Sequence, residues 1–137
     1  MERKYEPTEE QFRNVFCPEC ELWLRFYGML DWKVIYAFGP LDNPENIAET
    51  HINLFGRCAT ICLNNQECSP FPFADKTIRS TAFHEVSDIL TGRLSILARS
   101  RFCTDDEIHE AGHEITRILE HVIFGNRDKL IGNSDET

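Results

Sequence analysis

Two segments of this chain set a histidine beside a glutamate, with a second possible ligand one helical turn further on: His84-Glu85-Val86-Ser87-Asp88 and His109-Glu110-Ala111-Gly112-His113. The second is a literal HExxH. That spacing puts two imidazoles on one face of a helix, where they can hold zinc with the glutamate as general base. The first has aspartate at the fifth position, and a carboxylate oxygen also ligates zinc, so His84 and Asp88 form a two-point site with Glu85 projecting beside them. Together the two segments carry three of the five histidines. A third ligand must come from elsewhere, and His113 or His109 on an antiparallel neighbouring helix is the simplest source. A water in the remaining position, acidified by the metal and deprotonated by Glu85, would be a hydrolytic nucleophile.

The surroundings of the two segments differ. Peptidases with HExxH usually take a third ligand downstream, and after His113 the chain offers Glu114, Glu120, His121, Asp128, Asp135 and Glu136. His121 lies about two turns beyond His113, out of reach on a straight helix, and Gly112 weakens the helix at its centre. The plain alternative for the first segment is a half-buried, satisfied His84 and a solvent-facing Asp88. Its position on the most apolar helix weighs against that, because a polar face there needs a purpose. Cys17-Pro18-Glu19-Cys20 is a further candidate: a CxxC pair can hold half of a structural zinc site, with Cys58, Cys62 or Cys68 completing it. Buried thiols and a helix restarting at Pro18 explain the same residues without a metal.

These residues need elements to position them. Thr8 to Gln11 reads as a capping box, followed by Phe12, Val15 and Phe16 at helical spacing. Pro18 predicts a kink or restart, Leu22, Trp23, Phe26 and Tyr27 continue the apolar face, and Gly28 ends it. Asp31 to Phe38, Ile47 to Leu54 and Arg57 to Leu63 read as strands, the last two forming a hairpin around Phe55-Gly56 in a three-stranded, mainly antiparallel sheet. Asn64 to Phe73 is a loop. From Asp75 to Arg99 a wide apolar stripe of Ile78, Ala82, Phe83, Val86, Ile89, Leu90, Leu94 and Leu97 predicts the central, most buried helix. A second capping box at Thr104 to Glu107 opens a last amphipathic helix with Ile108, Ala111, Ile115, Ile118, Leu119 and Val122, ending before Gly125. The tail from Asn126 is expected to fray. The order helix, three strands, two helices is α+β, in one domain with helices on one side of a small sheet.

With 137 residues and 42% hydrophobic composition, the chain can bury one ordinary core. A net charge of −9, from fourteen basic against twenty-three acidic side chains, repels phosphate backbones and argues against non-specific nucleic-acid binding. Arg93, Arg99 and Arg101 form a local basic cluster, expected to be a solvated helix end rather than an anion site. No stretch has the length of a membrane span and the N-terminus lacks an apolar signal region, so a cytoplasmic location is expected, with the six cysteines as free thiols or metal ligands.

Trp32-Lys33-Val34, Ala48 with Ile52-Asn53-Leu54, Ala82-Phe83-His84-Glu85-Val86 with Ile89-Leu90, and Glu107-Ile108 with Ala111, His113, Arg117 and Leu119-Glu120 together resemble small zincin-like metallopeptidases of phages and prophages. In outline they are similar to the minimal zincin domains of SprT-like and ImmA-like proteins. The resemblance runs from about residue 10 to 124. It implies Zn2+ as cofactor, with His84 as first ligand, Glu85 as general base, Asp88 in the place of the second histidine, and His113 or Glu114 as the third ligand. It further implies a peptide or protein substrate, laid along an exposed edge strand of the 47–63 region, in the cytoplasm of a bacterial host cell. A degenerate zincin scaffold that binds a host or phage protein is the alternative, motivated by Asp88, the acidity and the small size. The sequence departs from the pattern at Asp88, whose shorter, charged side chain changes metal affinity and choice.

Overall fold

The hairpin of the sheet pairs as the alternation predicts, but the first strand lies somewhere else. In the computed structural model, which describes residues 4–131, β1 (Lys33–Gly39), β2 (Ala48–Asn53) and β3 (Cys58–Asn64) form one sheet in the order β1-β3-β2. β2 pairs antiparallel with β3, and β1 pairs parallel with β3. The sheet is therefore mixed, not mainly antiparallel. The physical reason lies in composition. β3, Cys-Ala-Thr-Ile-Cys-Leu-Asn, buries Ala59, Ile61 and Leu63 and takes the centre, whereas Ala-Glu-Thr-His-Ile-Asn of β2 is too polar to be enclosed and becomes an edge.

Register assigns the two faces. Val34, Ala59 and Ile52 lie in one row, Tyr36, Ile61 and Thr50 in the next, and Phe38, Leu63 and Ala48 in the third, so all nine share the face that meets the helices. The other face carries Ile35, Cys62, Glu49 and His51. In the β2–β3 turn Arg57, not Gly56, takes the left-handed conformation, with φ 48.

The N-terminal helix starts where expected, with Thr8 and Gln11 forming both bonds of the capping box. A short α1 (Glu9–Gln11) leads into a π-helical turn at Phe12–Phe16 and then α2 (Cys17–Phe26). The widened turn takes the place of the expected kink. It directly precedes Pro18, which lacks an N–H for the i−4 carbonyl, and loosening that ladder accommodates the proline without breaking the rod. Gly28, at φ 73, reverses the chain toward β1.

The central helix α3 (Asp75–Ala98) buries Ile78, Ala82, Val86 and Ile89 against α2 and the sheet. Gly92 permits the closest approach to β2, for a Cβ there would lie 2.4 Å from Ile52 Cδ1. The final long helix α4 (Asp105–Val122) opens on the predicted box at Thr104 and Glu107 and packs chiefly on α3. Part of the expected frayed tail is helical: a 3-10 turn at Phe124–Asn126 and α5 (Arg127–Ile131) follow α4, and the remainder lies outside the described residues. The architecture is α+β, with its helices on one face of the sheet. No helix among the described residues is long and apolar enough to cross a membrane.

Candidate metal centre on the central helix

His84, Glu85 and Asp88 converge because helical phase leaves them little choice. Residues four apart share a face, so His84 and Asp88 stand one turn apart on the exposed side of α3, with Nε2 to Oδ2 at 3.6 Å. Glu85 is rotated by about 100° from His84, toward the sheet, and is 5% exposed while His84 and Asp88 remain 72% and 49% exposed at their side chains. One ligand atom from each of the three lies within 4.8 Å of the others.

β2 supplies what holds Glu85 in place. The Thr50 hydroxyl donates to Glu85 Oε1 at 2.9 Å, with the Glu85 carbonyl oxygen at 3.3 Å. Burial pushes the Glu85 carboxyl above its ordinary range. The Thr50 hydrogen bond opposes that, the negative charge of Asp88 adds to it, and His84 works against it. A carboxyl raised by desolvation inside a groove is what a proton-transfer group needs.

The groove runs between α3 and the unpaired edge of β2. It encloses about 950 Å³ and is bounded by the 42–46 loop, Ala48 to His51 of β2, and Ser80, Thr81, His84, Glu85 and Asp88 of α3. A second hollow of about 750 Å³ shares Thr50, His51 and Asp88 and extends along α3 to Arg99. The 42–46 loop is well anchored: Glu49 accepts from the backbone N–H groups of Asn43 and Asp42 at 2.8 and 3.2 Å, and the buried Asn64 amide donates to the carbonyls of Pro44 and Asn46. Those two N–H bonds draw the Glu49 carboxyl below its usual range despite some desolvation.

Asp42, Glu49 and His51 form a second ligand-type cluster at this groove, with His51 Nε2 3.4 Å from Glu49 and 3.8 Å from Asp42. Sequence reasoning missed these three and Thr50. For Thr50 a signal existed: in β2 it alternates in phase with Ala48 and Ile52, so a hydroxyl had to enter the covered face and find a partner. Nothing local announced the other cluster, since it depends on how the 42–46 loop folds back.

The structure does not bring His113 to His84. Ligand-type clusters among the described residues contain neither His113, His109 nor Glu114. The reason is helix phase. α4 buries Ala111, and residues two positions either side of it point about 160° away, so His109 and His113 face solvent, their ring centroids 5.0 Å apart with the rings tilted by 50°. Glu114 and Glu110 turn instead to Arg93, at 2.9 and 3.7 Å. Arg93 is nine residues from His84, about two and a half turns, hence on the opposite side of α3.

The remaining candidates resolve simply. Cys20 is in the core and Cys17 half-buried, all six cysteines are free thiols, and no ligand-type cluster among the described residues includes one. Burial, reinforced by Glu21, pushes the Cys17 thiol up to about 11, and Cys20 is raised further by deeper burial. Arg99 donates to the Ser95 carbonyl oxygen at the end of α3, whereas Arg93 lies inside α3 and is held by Glu114 and Glu110 of α4.

No protein-family model matches this chain, and neither a curated protein nor a solved structure matches it.

Proposed function

We propose that the protein is a metal-dependent hydrolase of zincin type, acting on peptides, with His84 and Asp88 as metal ligands and Glu85 as general base. One observation carries the reading: a buried carboxyl with a raised pKa lies between two exposed ligand groups, beside an unpaired strand edge. An imidazole nitrogen and a carboxylate oxygen are a donor pair that zinc accepts. Bound there, Zn2+ would supply Lewis acidity toward a carbonyl oxygen and toward water. The chain's own part is positional. The free edge of β2 can pair with an extended substrate backbone, and Glu85, oriented by Thr50, can take a proton from an attacking water and return it to the leaving amine.

A second reading has a specific observation in its favour. With His113 on the outer face of α4, α3 provides only two ligands besides the base, a weak donor set for catalysis. Under that reading the groove captures an extended segment of a host or phage protein by strand addition and does not cut it.

The deciding experiment measures zinc content and cleavage of a mixed peptide library for the wild type and Glu85→Gln. Cleavage by the wild type, lost in the variant with zinc retained, supports the hydrolase. Undiminished cleavage in Glu85→Gln removes Glu85 as the base. Bound zinc with no cleavage by the wild type favours the binding scaffold.

A further inference from the structure

On the far side of α3 from this groove lies a third hollow of about 680 Å³, with no lining residue in common with the groove. It exists because α4 packs chiefly on α3 and leans away from the strands, while the Gly28 reversal carries Met29 to Trp32 across the opening. Ile89 and Ala111 form a buried floor, and Tyr27, Trp32, Leu90 and Ile118 add apolar walls. The volume falls within the roughly 300–1,000 Å³ of small-molecule sites, which are apolar with a few placed polar groups.

The polar groups here are biased in one direction. Arg57, Arg93 and Arg117 line the hollow against two carboxylates, Asp31 and Glu114, an excess of one cation among the lining groups, with Glu110 also reaching Arg93 at 3.7 Å from outside the lining. Both carboxylates are already engaged, Asp31 by Arg57 and Glu114 by Arg93. Arg117, His121 and the Trp32 indole N–H have no partner among the described residues. Arg117 and the indole are donors only, whereas the His121 imidazole can both donate and accept, so the one unpaired charge lining the hollow is the Arg117 guanidinium and the group it lacks is a negatively charged acceptor.

We propose that this hollow binds a small amphipathic anion, an apolar body of roughly eight carbons ended by a carboxylate or phosphate, with the body against Ile89, Leu90 and Ile118 and the head at Arg117. The probes are octanoate, octyl phosphate and the neutral octan-1-ol, titrated calorimetrically into the full chain. Both anions are expected to bind saturably at one site and octanol at least tenfold more weakly. Arg117→Gln, an exposed position whose replacement leaves the fold intact, should weaken octanoate about tenfold and leave octanol unchanged, as a lost charge-assisted contact would. In Trp23→Phe the one remaining indole is Trp32, and its emission should change on binding. Absence of saturable octanoate binding, equal affinity for octanol, insensitivity to Arg117→Gln, or an unresponsive Trp32 would each overturn the proposal.

Discussion

The proposed zinc binding at His84 and Asp88 would raise heat stability by an amount that can be worked out in advance. A ligand that binds only the folded state at a free concentration one hundred times its dissociation constant stabilises by about 2.7 kcal/mol. Unfolding entropy near 60 °C is about 2.1 cal/mol/K per residue, so for 137 residues about 0.29 kcal/mol/K, and that stabilisation raises Tm by about 9 °C. The measurement is differential scanning calorimetry of metal-stripped protein at pH 7, with and without zinc. The exposed His109–His113 pair, one turn apart, has the spacing of a two-point chelate and could take zinc independently. The comparison therefore belongs in a His109→Ala, His113→Ala background. There the shift should persist and should disappear on adding His84→Ala and Asp88→Asn. Both positions are exposed, and substitutions there should move metal-free stability by no more than about 0.5 kcal/mol. If the shift survives loss of His84 and Asp88, or is already gone in the background variant, the metal does not sit on α3 and the hydrolase reading fails with it.

Glu85 should leave a signature in the pH dependence of stability. An acid whose folded pKa is raised contributes stability that is fully present below its unfolded value, here an ordinary 4.5, and is lost as pH climbs through the folded value. Metal-free Glu85→Gln should therefore melt above the wild type at pH 7, with the two converging below about pH 4; a lower melting temperature for the variant at pH 7 contradicts the burial argument. Thr50→Val removes the hydroxyl that favours the ionised carboxylate, so the acid limb of any hydrolysis profile should move to higher pH. An unmoved limb would mean that Glu85 is not the group titrating. Gly92→Ala would ordinarily gain about 1 kcal/mol of helix propensity, but its Cβ meets Ile52, and overpacking costs about 1–3 kcal/mol. Net destabilisation in urea melts, relieved by Ile52→Val in a double-mutant cycle, is the expected result.

Much of the fold is legible in local patterns because caps and periodicities are local physics. Both capping boxes, the three strands and the two long helices stand where hydrophobic period and Thr-x-x-Gln or Thr-x-x-Glu chemistry place them. The strand order is different in kind. It follows from competition for the central position, which Ile61 and Leu63 win over the polar β2, and that comparison has to be made across the whole sheet. The candidate site divides the same way. His84, Glu85 and Asp88 meet through i, i+1 and i, i+4 spacing alone. The outward phase of His109 and His113 was readable too, since the stripe through Ala111, Ile115 and Ile118 puts them on the opposite face of their own helix.

The sequence by itself determined that an imidazole and two carboxylates share one turn of a helix, because side-chain direction along a helix is set by its pitch. It also determined that this helix is the apolar centre of a small α+β chain. Only the tertiary structure decided that Glu85 faces the sheet and is desolvated against Thr50, that β2 is left as an open edge beside it, and that α4 lies on the far side of α3. Those outcomes depend on which faces of separate elements the common core brings together. No local spacing carries that information, since the core is chosen by the summed burial of residues far apart in the chain.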